Sequence, residues 1–267
     1  MVSGGDGYYR LMKAPRFPQI SLFTFAVLAA CSLALQGQTA DELIKQGDVH
    51  YDRLQAQEAL KYYLPAEKLE PENPQLLVRI ARQYRHLMTD AGNKDQKLKH
   101  GRTAVEYSKR AVALAPNDAE AQLALAISYG KILPLVGSKE QVATSPLIKS
   151  AADKVIRLDP KNDLGWHVLG RWHVVLADVG SVKRALAQVA YGKLPTGTSK
   201  DAARCFEKAI QLNPSRLMHY IELGRAYSQM DRKDEARKMI AKGLAMPATE
   251  KDDPETKEKG REILKKL

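Results

Sequence analysis

Residues 199–248 read SKDAARCFEKAIQLNPSRLMHYIELGRAYSQMDRKDEARKMIAKGLAMPA, and the spacing of their apolar positions decides the architecture. Lys200 to Leu212 puts Ala202, Phe206, Ala209 and Leu212 on one helical face, and Pro214 ends the run. Leu217 to Met230 sets out Tyr220, Leu223, Gly224 and Tyr227 in the same way. After a break at Met230-Asp231-Arg232, a third run carries Ala236, Ile240 and Gly243 before Pro247. Small residues let two antiparallel helices approach closely, large ones fill the space between them, and proline stops the second helix.

That order of residues is the order of a tetratricopeptide repeat, whose period is about 34 residues. A Leu-x-Pro marker recurs at Leu69-Glu70-Pro71, Leu114-Ala115-Pro116, Leu158-Asp159-Pro160 and Leu212-Asn213-Pro214. Ahead of these prolines, Ala59-Tyr63-Ala66, Ala104-Ser108-Ala111, Ile148-Ala152-Val155 and Ala202-Phe206-Ala209 form the second-helix pattern. Acid and amide residues after the prolines (Glu72-Asn73, Asn117-Asp118, Asn162-Asp163) suit helix N-caps. First helices are therefore expected at Ala40 to Leu54, Pro74 to Leu87, Asp118 to Leu133, Asp163 to Asp178 and Leu217 to Met230. The markers stand 45, 44 and 54 residues apart, and Pro214 stands 33 before Pro247. The excess falls between the helices of a pair, near Thr89 to Leu98, Leu135 to Thr144 and Val179 to Thr198. The expected fold is an all-α tetratricopeptide-repeat solenoid of about five helix pairs over residues 41–248. A polar capping helix follows over 249–267, with Ile263, Leu264 and Leu267 on its apolar side.

The first forty residues read as an export signal. Lys13 and Arg16 precede an apolar run from Ile20 to Leu35, too short for the roughly 20 residues of a membrane span. Cleavage between Ala34 and Ala40 ranks ahead of acylation at Cys31, which sits in a lipobox-like Leu28-Ala29-Ala30-Cys31; an uncleaved anchor ranks third. The mature chain is then expected to be periplasmic or secreted, or a membrane-anchored lipoprotein. With Cys31 removed or acylated, Cys205 stands alone and no internal disulfide forms. Of 42 basic and 31 acidic residues, Arg10, Lys13, Arg16 and Asp6 belong to this leader, so the remainder keeps net +9. Such an excess favours acidic partners.

Reaction chemistry is sparse. Gly192 and Gly197 have phosphate-loop separation, but Thr198 stands where the lysine is needed. His167 and His173 are six apart, not the four that put two imidazoles on one helical face. Asp159, Asn162 and Asp163 lack calcium-loop spacing, and no Gly-x-Ser-x-Gly elbow occurs. Asp252, Asp253 and Glu255 read as negative charge at a helix start. No catalytic residue, metal site or cofactor is expected, and basic residues without interleaved aromatics give no reason to expect nucleic acid.

One constellation remains. In three first helices the small residue is followed by arginine at an inner position: Ala81-Arg82, Gly170-Arg171 and Gly224-Arg225. Arg85, Lys131 and His167 fall on nearby inner positions. The planar guanidinium fork suits carboxylate or phosphate. A concave groove binding an acidic peptide or protein is the leading expectation, with anionic lipid as the alternative ligand and the Val179 to Thr198 insertion as its lid. Pairing of the arginines with neighbouring acids such as Glu222 would merely solvate the groove.

Residues 41–267 also resemble the regulator of microtubule dynamics family. The resemblance rests on Leu164-Gly165-Trp166-His167-Val168-Leu169-Gly170-Arg171-Trp172, Tyr191-Gly192-Lys193-Leu194-Pro195, Ser199-Lys200-Asp201-Ala202, Phe206-Glu207-Lys208-Ala209 and Leu223-Gly224-Arg225-Ala226-Tyr227. Gly47-Asp48 with Tyr51, and Leu244-Ala245-Met246-Pro247-Ala248, complete it. The resemblance implies a helical array acting through partners. Eukaryotic members are linked to microtubules and spindle poles, and a membrane-anchored relative to organelle contacts and phospholipid binding. A bacterial-type export signal is where this chain departs from that pattern.

Overall fold

The computed structural model describes residues 1, 38–180, 184, 185, 188–190, 192 and 195–267. Residues 2–37, which hold the expected export signal and Cys31, lie outside them. Thr39–Leu267 forms one compact unit.

Each Leu-x-Pro marker does end a helix, and the residue two after the proline is the N-cap of the next, with a side-chain bond after the first three markers. Asn73 Oδ1 accepts from Leu76 N at 3.0 Å, Asp118 Oδ1 from Glu120 N at 2.7 Å, and Asn162 Oδ1 from Gly165 N at 3.0 Å. These bonds satisfy amides that no preceding turn can reach. Five antiparallel pairs result: α1 (Ala40–Asp52) with α2 (Ala56–Leu69), α3 (Pro74–Asp90) with α4 (Lys94–Leu114), α5 (Ala119–Ile132) with α6 (Ser138–Leu158), α7 (Asp163–Ala177) with α8 (Ser199–Leu212), and α9 (Leu217–Gln229) with α10 (Lys233–Ala245). The last helix, α11 (Asp253–Leu264), packs across α9 and α10.

In three of the pairs a small residue lies against a large one. A Cβ added to Gly47 would sit 2.3 Å from the Tyr63 ring, one on Gly170 2.7 Å from Phe206, and one on Gly224 2.4 Å from Ile240. Tyr63, Phe206 and Ile240 are fully buried, each worth about 1.5–3 kcal/mol of transfer free energy. The core is distributed between repeats. Leu123, Ile148, Val155 and Trp172 form one cluster; Val174, Phe206, Leu223 and Ala236 form the next.

Two of the three insertions are longer helices, not loops: α4 and α6 each run to 21 residues. The third, beyond α7, has helical backbone at 184, 185 and 188–190. Arg184 ties it to the end of α7, donating to Leu176 O at 2.7 Å and to Pro195 O at 3.1 Å.

Successive odd-numbered helices from α3 to α9 pack on one another, and among the described residues no comparable contact joins successive even-numbered ones. Odd helices therefore form the short inner side of a curved ribbon.

A candidate ligand-binding groove

The inner face encloses a cavity of about 1020 Å³. That is at the upper end of the roughly 300–1000 Å³ typical of small-molecule sites. Its floor is apolar, with Leu123, Ile127, Ile148, Leu164, Val168 and Trp172 among the lining residues. Five of the six residues expected to face a groove line it: Arg82, Arg85, Lys131, His167 and Arg171. The sixth, Arg225, does not. Its guanidinium turns to Asp178 (3.5 Å) and Glu222 (3.7 Å).

The cause is visible in the repeat. Position ten after each marker proline is the small residue Ala81, Ala126, Gly170 or Gly224, and the next faces inward. Those inward residues are Arg82, Ile127, Arg171 and Arg225. At the last of them the neighbouring acids lie to one side, so the side chain follows the charge. Each of the other two arginines has one acid at a comparable distance, where Arg225 has two. Arg82 donates to Tyr51 Oη at 2.8 Å and stands 3.7 Å from Glu120; Arg171 stands 3.5 Å from Glu222.

Arg85 differs from its neighbours. It is 6 % exposed, and its hydrogen bonds go to neutral groups, Ser128 Oγ at 3.1 Å and Ala124 O at 3.4 Å. Among the described residues no carboxylate forms an ion pair with it. Burial, reinforced by the Arg82 charge, pulls its pKa down to about 9. On the next residue, His86, burial and the Arg85 charge bring the imidazole down to about 4.

At the other end, His167 is buried and joined to His219, Nδ1 to Nδ1, at 3.0 Å. His219 Nε2 meets Asp163 Oδ2 at 2.9 Å, and Arg216 Nε stands 2.9 Å from the same oxygen. Burial, then the neighbouring His219, holds the His167 pKa well below the ordinary histidine value. For Asp163 burial opposes ionisation, but the His219 hydrogen bond and the Arg216 charge outweigh it. His219 and Arg216 are not among the residues expected to face the groove. Their separation from Asp163, 56 and 53 residues, hides the contact from any local pattern.

The largest departure from expectation concerns the acidic residues before α11. Asp252 does precede a helix, yet its carboxylate crosses the groove. Lys131 Nζ donates to Asp252 Oδ2 at 2.6 Å, and Thr89 Oγ1 to Oδ1 at 2.6 Å. Arg216 donates to Glu250 Oε1 at 2.5 Å, and Lys251 Nζ lies 2.7 Å from Asp90. Asp253 folds this segment, its Oδ2 accepting from Thr249 N and Glu250 N at 2.8 Å each. Residues 247–252 thus form a strap that runs from the last repeat to α3 and α5.

Among the described residues no group of three or more histidine, cysteine or carboxylate side chains is placed to hold a metal ion. Cys205 is buried beside Phe206, and burial raises its thiol to about 12, which suits packing and not nucleophilic attack.

Comparison with known proteins agrees with this arrangement of repeats. The family profile described as Regulator of microtubule dynamics protein 1-3 matches residues 38–267. Regulator of microtubule dynamics protein 1 of Mus musculus is 24 % identical over 243 residues, covering 90 % of this chain and 79 % of the relative. The Bos taurus protein of that name is 26 % identical over 227 residues, covering 84 % and 71 %. Among solved structures, a thermophilic TPR protein of Thermus thermophilus superposes with a TM-score of 0.60 at 18 % identity, over 85 % of this chain and 99 % of that one.

Proposed function

The chain belongs to the regulator of microtubule dynamics family, and from that premise we propose that its tetratricopeptide-repeat scaffold is a non-catalytic binding module whose cavity takes an anionic amphiphile. The supporting observation is the division of the cavity wall. Apolar side chains from α5, α6 and α7 make the floor. Arg82, Arg85, Lys97, Lys131, Arg171 and Arg216 contribute charge, against only Glu120 and Asp163 from the repeats themselves. An alkyl chain on the floor removes apolar surface from water, and a phosphate or carboxylate head meets guanidinium donors. Ile127, where neighbouring repeats carry arginine, keeps the middle of that wall apolar. The test is incubation with phosphatidylglycerol and phosphatidylcholine vesicles, then native mass spectrometry of the recovered protein. One anionic lipid per chain is expected; an unliganded chain after both overturns the reading.

A second reading has its own observation. The strap is a stretch of peptide whose acidic side chains sit on Arg216, Lys131 and Thr89. A partner protein with an acidic segment would meet the same donors, as a repeat scaffold that binds peptides requires. Saturable binding of an acidic peptide, with no lipid uptake, would select it.

The module is proposed to work outside the cytoplasm, on the strength of Lys13, Arg16 and the apolar run Ile20 to Leu35. Intact mass of the purified chain tests this. Loss of the leader, or a lipid-modified Cys31 at the N-terminus, is expected; a full-length unmodified chain in the cytoplasmic fraction overturns it.

A further inference from the structure

The strap places two carboxylates on the cationic wall that the proposed ligand would use. The repeats contribute more cations than acids to the cavity lining. The C-terminal segment then adds Glu250, Asp252, Asp253 and Glu255, against Lys251 and Lys259. Its contacts span 121 residues between Lys131 and Asp252, and 163 between Thr89 and Asp252.

The two partners of the central ion pair are unequally buried. Lys131 keeps 18 % of its side chain exposed and Asp252 keeps 45 %. Leaving the pair returns a half-hydrated carboxylate to solvent but strands a largely buried ammonium, which is costly unless another anion replaces the first. Arg85, on the helix that also carries Thr89, is buried without any carboxylate partner among the described residues. Asp252 thus serves Lys131, while Arg85 beside it has no carboxylate of its own among the described residues.

We propose that residues 250–252 are a built-in competitor for the cavity's cationic wall, and that an anionic ligand enters by taking the place of Asp252 on Lys131 and pairing with Arg85. This rests on the reading of the cavity as an anion-binding site. The strap is suited to the exchange. Pro247 has already ended α10, and residues 247–249 carry no regular structure that must be unwound. Its other anchors are Glu250 on Arg216, with the glutamate side chain 46 % exposed, and Lys251 on Asp90. The chemistry recognised is a phosphate or carboxylate, brought by a lipid headgroup or by a free anion.

The experiment compares the full chain with the E250Q/D252N variant in binding to phosphatidylglycerol vesicles, with hydrogen exchange read at residues 248–253. The variant should bind about tenfold tighter, since a gain of about 1.4 kcal/mol from removing two competing ion pairs is a factor of ten. In the unaltered chain, saturating vesicles should accelerate exchange across the strap. That second readout holds even if the variant does not fold. Strap opening by inorganic phosphate alone would support the exchange and identify a free anion as ligand. Equal or weaker binding by the variant, or strap protection unchanged at saturation, overturns the competitor while leaving the cavity reading in place. Failure of both proteins to bind vesicles and phosphate overturns both.

Discussion

His167 and His219 meet through their Nδ1 atoms at 3.0 Å, and the direction of that hydrogen bond follows from what lies behind it. Asp163 Oδ2 can only accept, so His219 donates to it from Nε2. With that proton on Nε2, a neutral His219 accepts at Nδ1, and His167 then donates from Nδ1 and keeps a lone pair on Nε2. ¹⁵N spectra at pH 7 should show His167 as the Nδ1–H tautomer and His219 as the Nε2–H tautomer. The reverse pair would disprove the relay.

Acid should begin to loosen the fold below about pH 6.5. The native His86 imidazole takes up its proton at about 4, because burial and Arg85 disfavour the cation; Arg82 and Lys131 add to this, and Asp252 opposes it. The unfolded chain takes it up near 6.5, so unfolding binds a proton between those values. This contribution is complete above about pH 6.5 and is lost as pH falls towards 4, and is worth at most about 3 kcal/mol. Thermal melting across that range should fall steeply for the native chain and less steeply for His86→Gln.

Close approach of α9 and α10 leaves no room at Gly224. A methyl there meets Ile240 and, at 2.9 Å, the backbone oxygen of Ala236, which cannot rotate away. Gly224→Ala gains about 1 kcal/mol of helix propensity and loses about 1–3 kcal/mol to overpacking. A net drop in denaturant midpoint is expected, although the same change at an open helical site stabilises.

Arginines of equivalent sequence should not be equivalent in binding. Arg82→Ala and Arg171→Ala remove donors from the cavity wall, each costing about 1 kcal/mol, or roughly fivefold, in affinity for phosphatidylglycerol vesicles. Arg225→Ala removes a side chain that faces Asp178 and Glu222, and should leave affinity within about twofold. Equal losses at all three would show that position in the repeat, not the cavity, governs binding.

Cys205 should resist thiol reagents in the native state. Burial raises its thiol to about 12, so little thiolate exists at neutral pH. Peptide mapping after alkylation should find it modified only once denaturant is added.

Helix boundaries were legible in the chain to within a few residues, as were the pairing of small with large residues and the caps at Asn73, Asp118 and Asn162. Each depends on residues within a turn or two, or on a fixed offset inside one hairpin, so local pattern carries the information. The long α4 and α6 were less legible. Counting found the surplus residues, but whether they extend a helix or form a loop depends on what the added turns pack against.

The chain by itself determined a curved stack of helix pairs and named most of the side chains on its inner face, because repeat period and inner position are properties of neighbouring residues. Only the tertiary structure decided that Arg225 turns away, that His219 stands behind His167, and that Asp252 reaches Lys131. Those are contacts between elements 47 to 121 residues apart, selected by where charge and unfilled hydrogen bonds meet once the ribbon has curved. No spacing rule connects such residues, since curvature brings them together only after every intervening pair has packed.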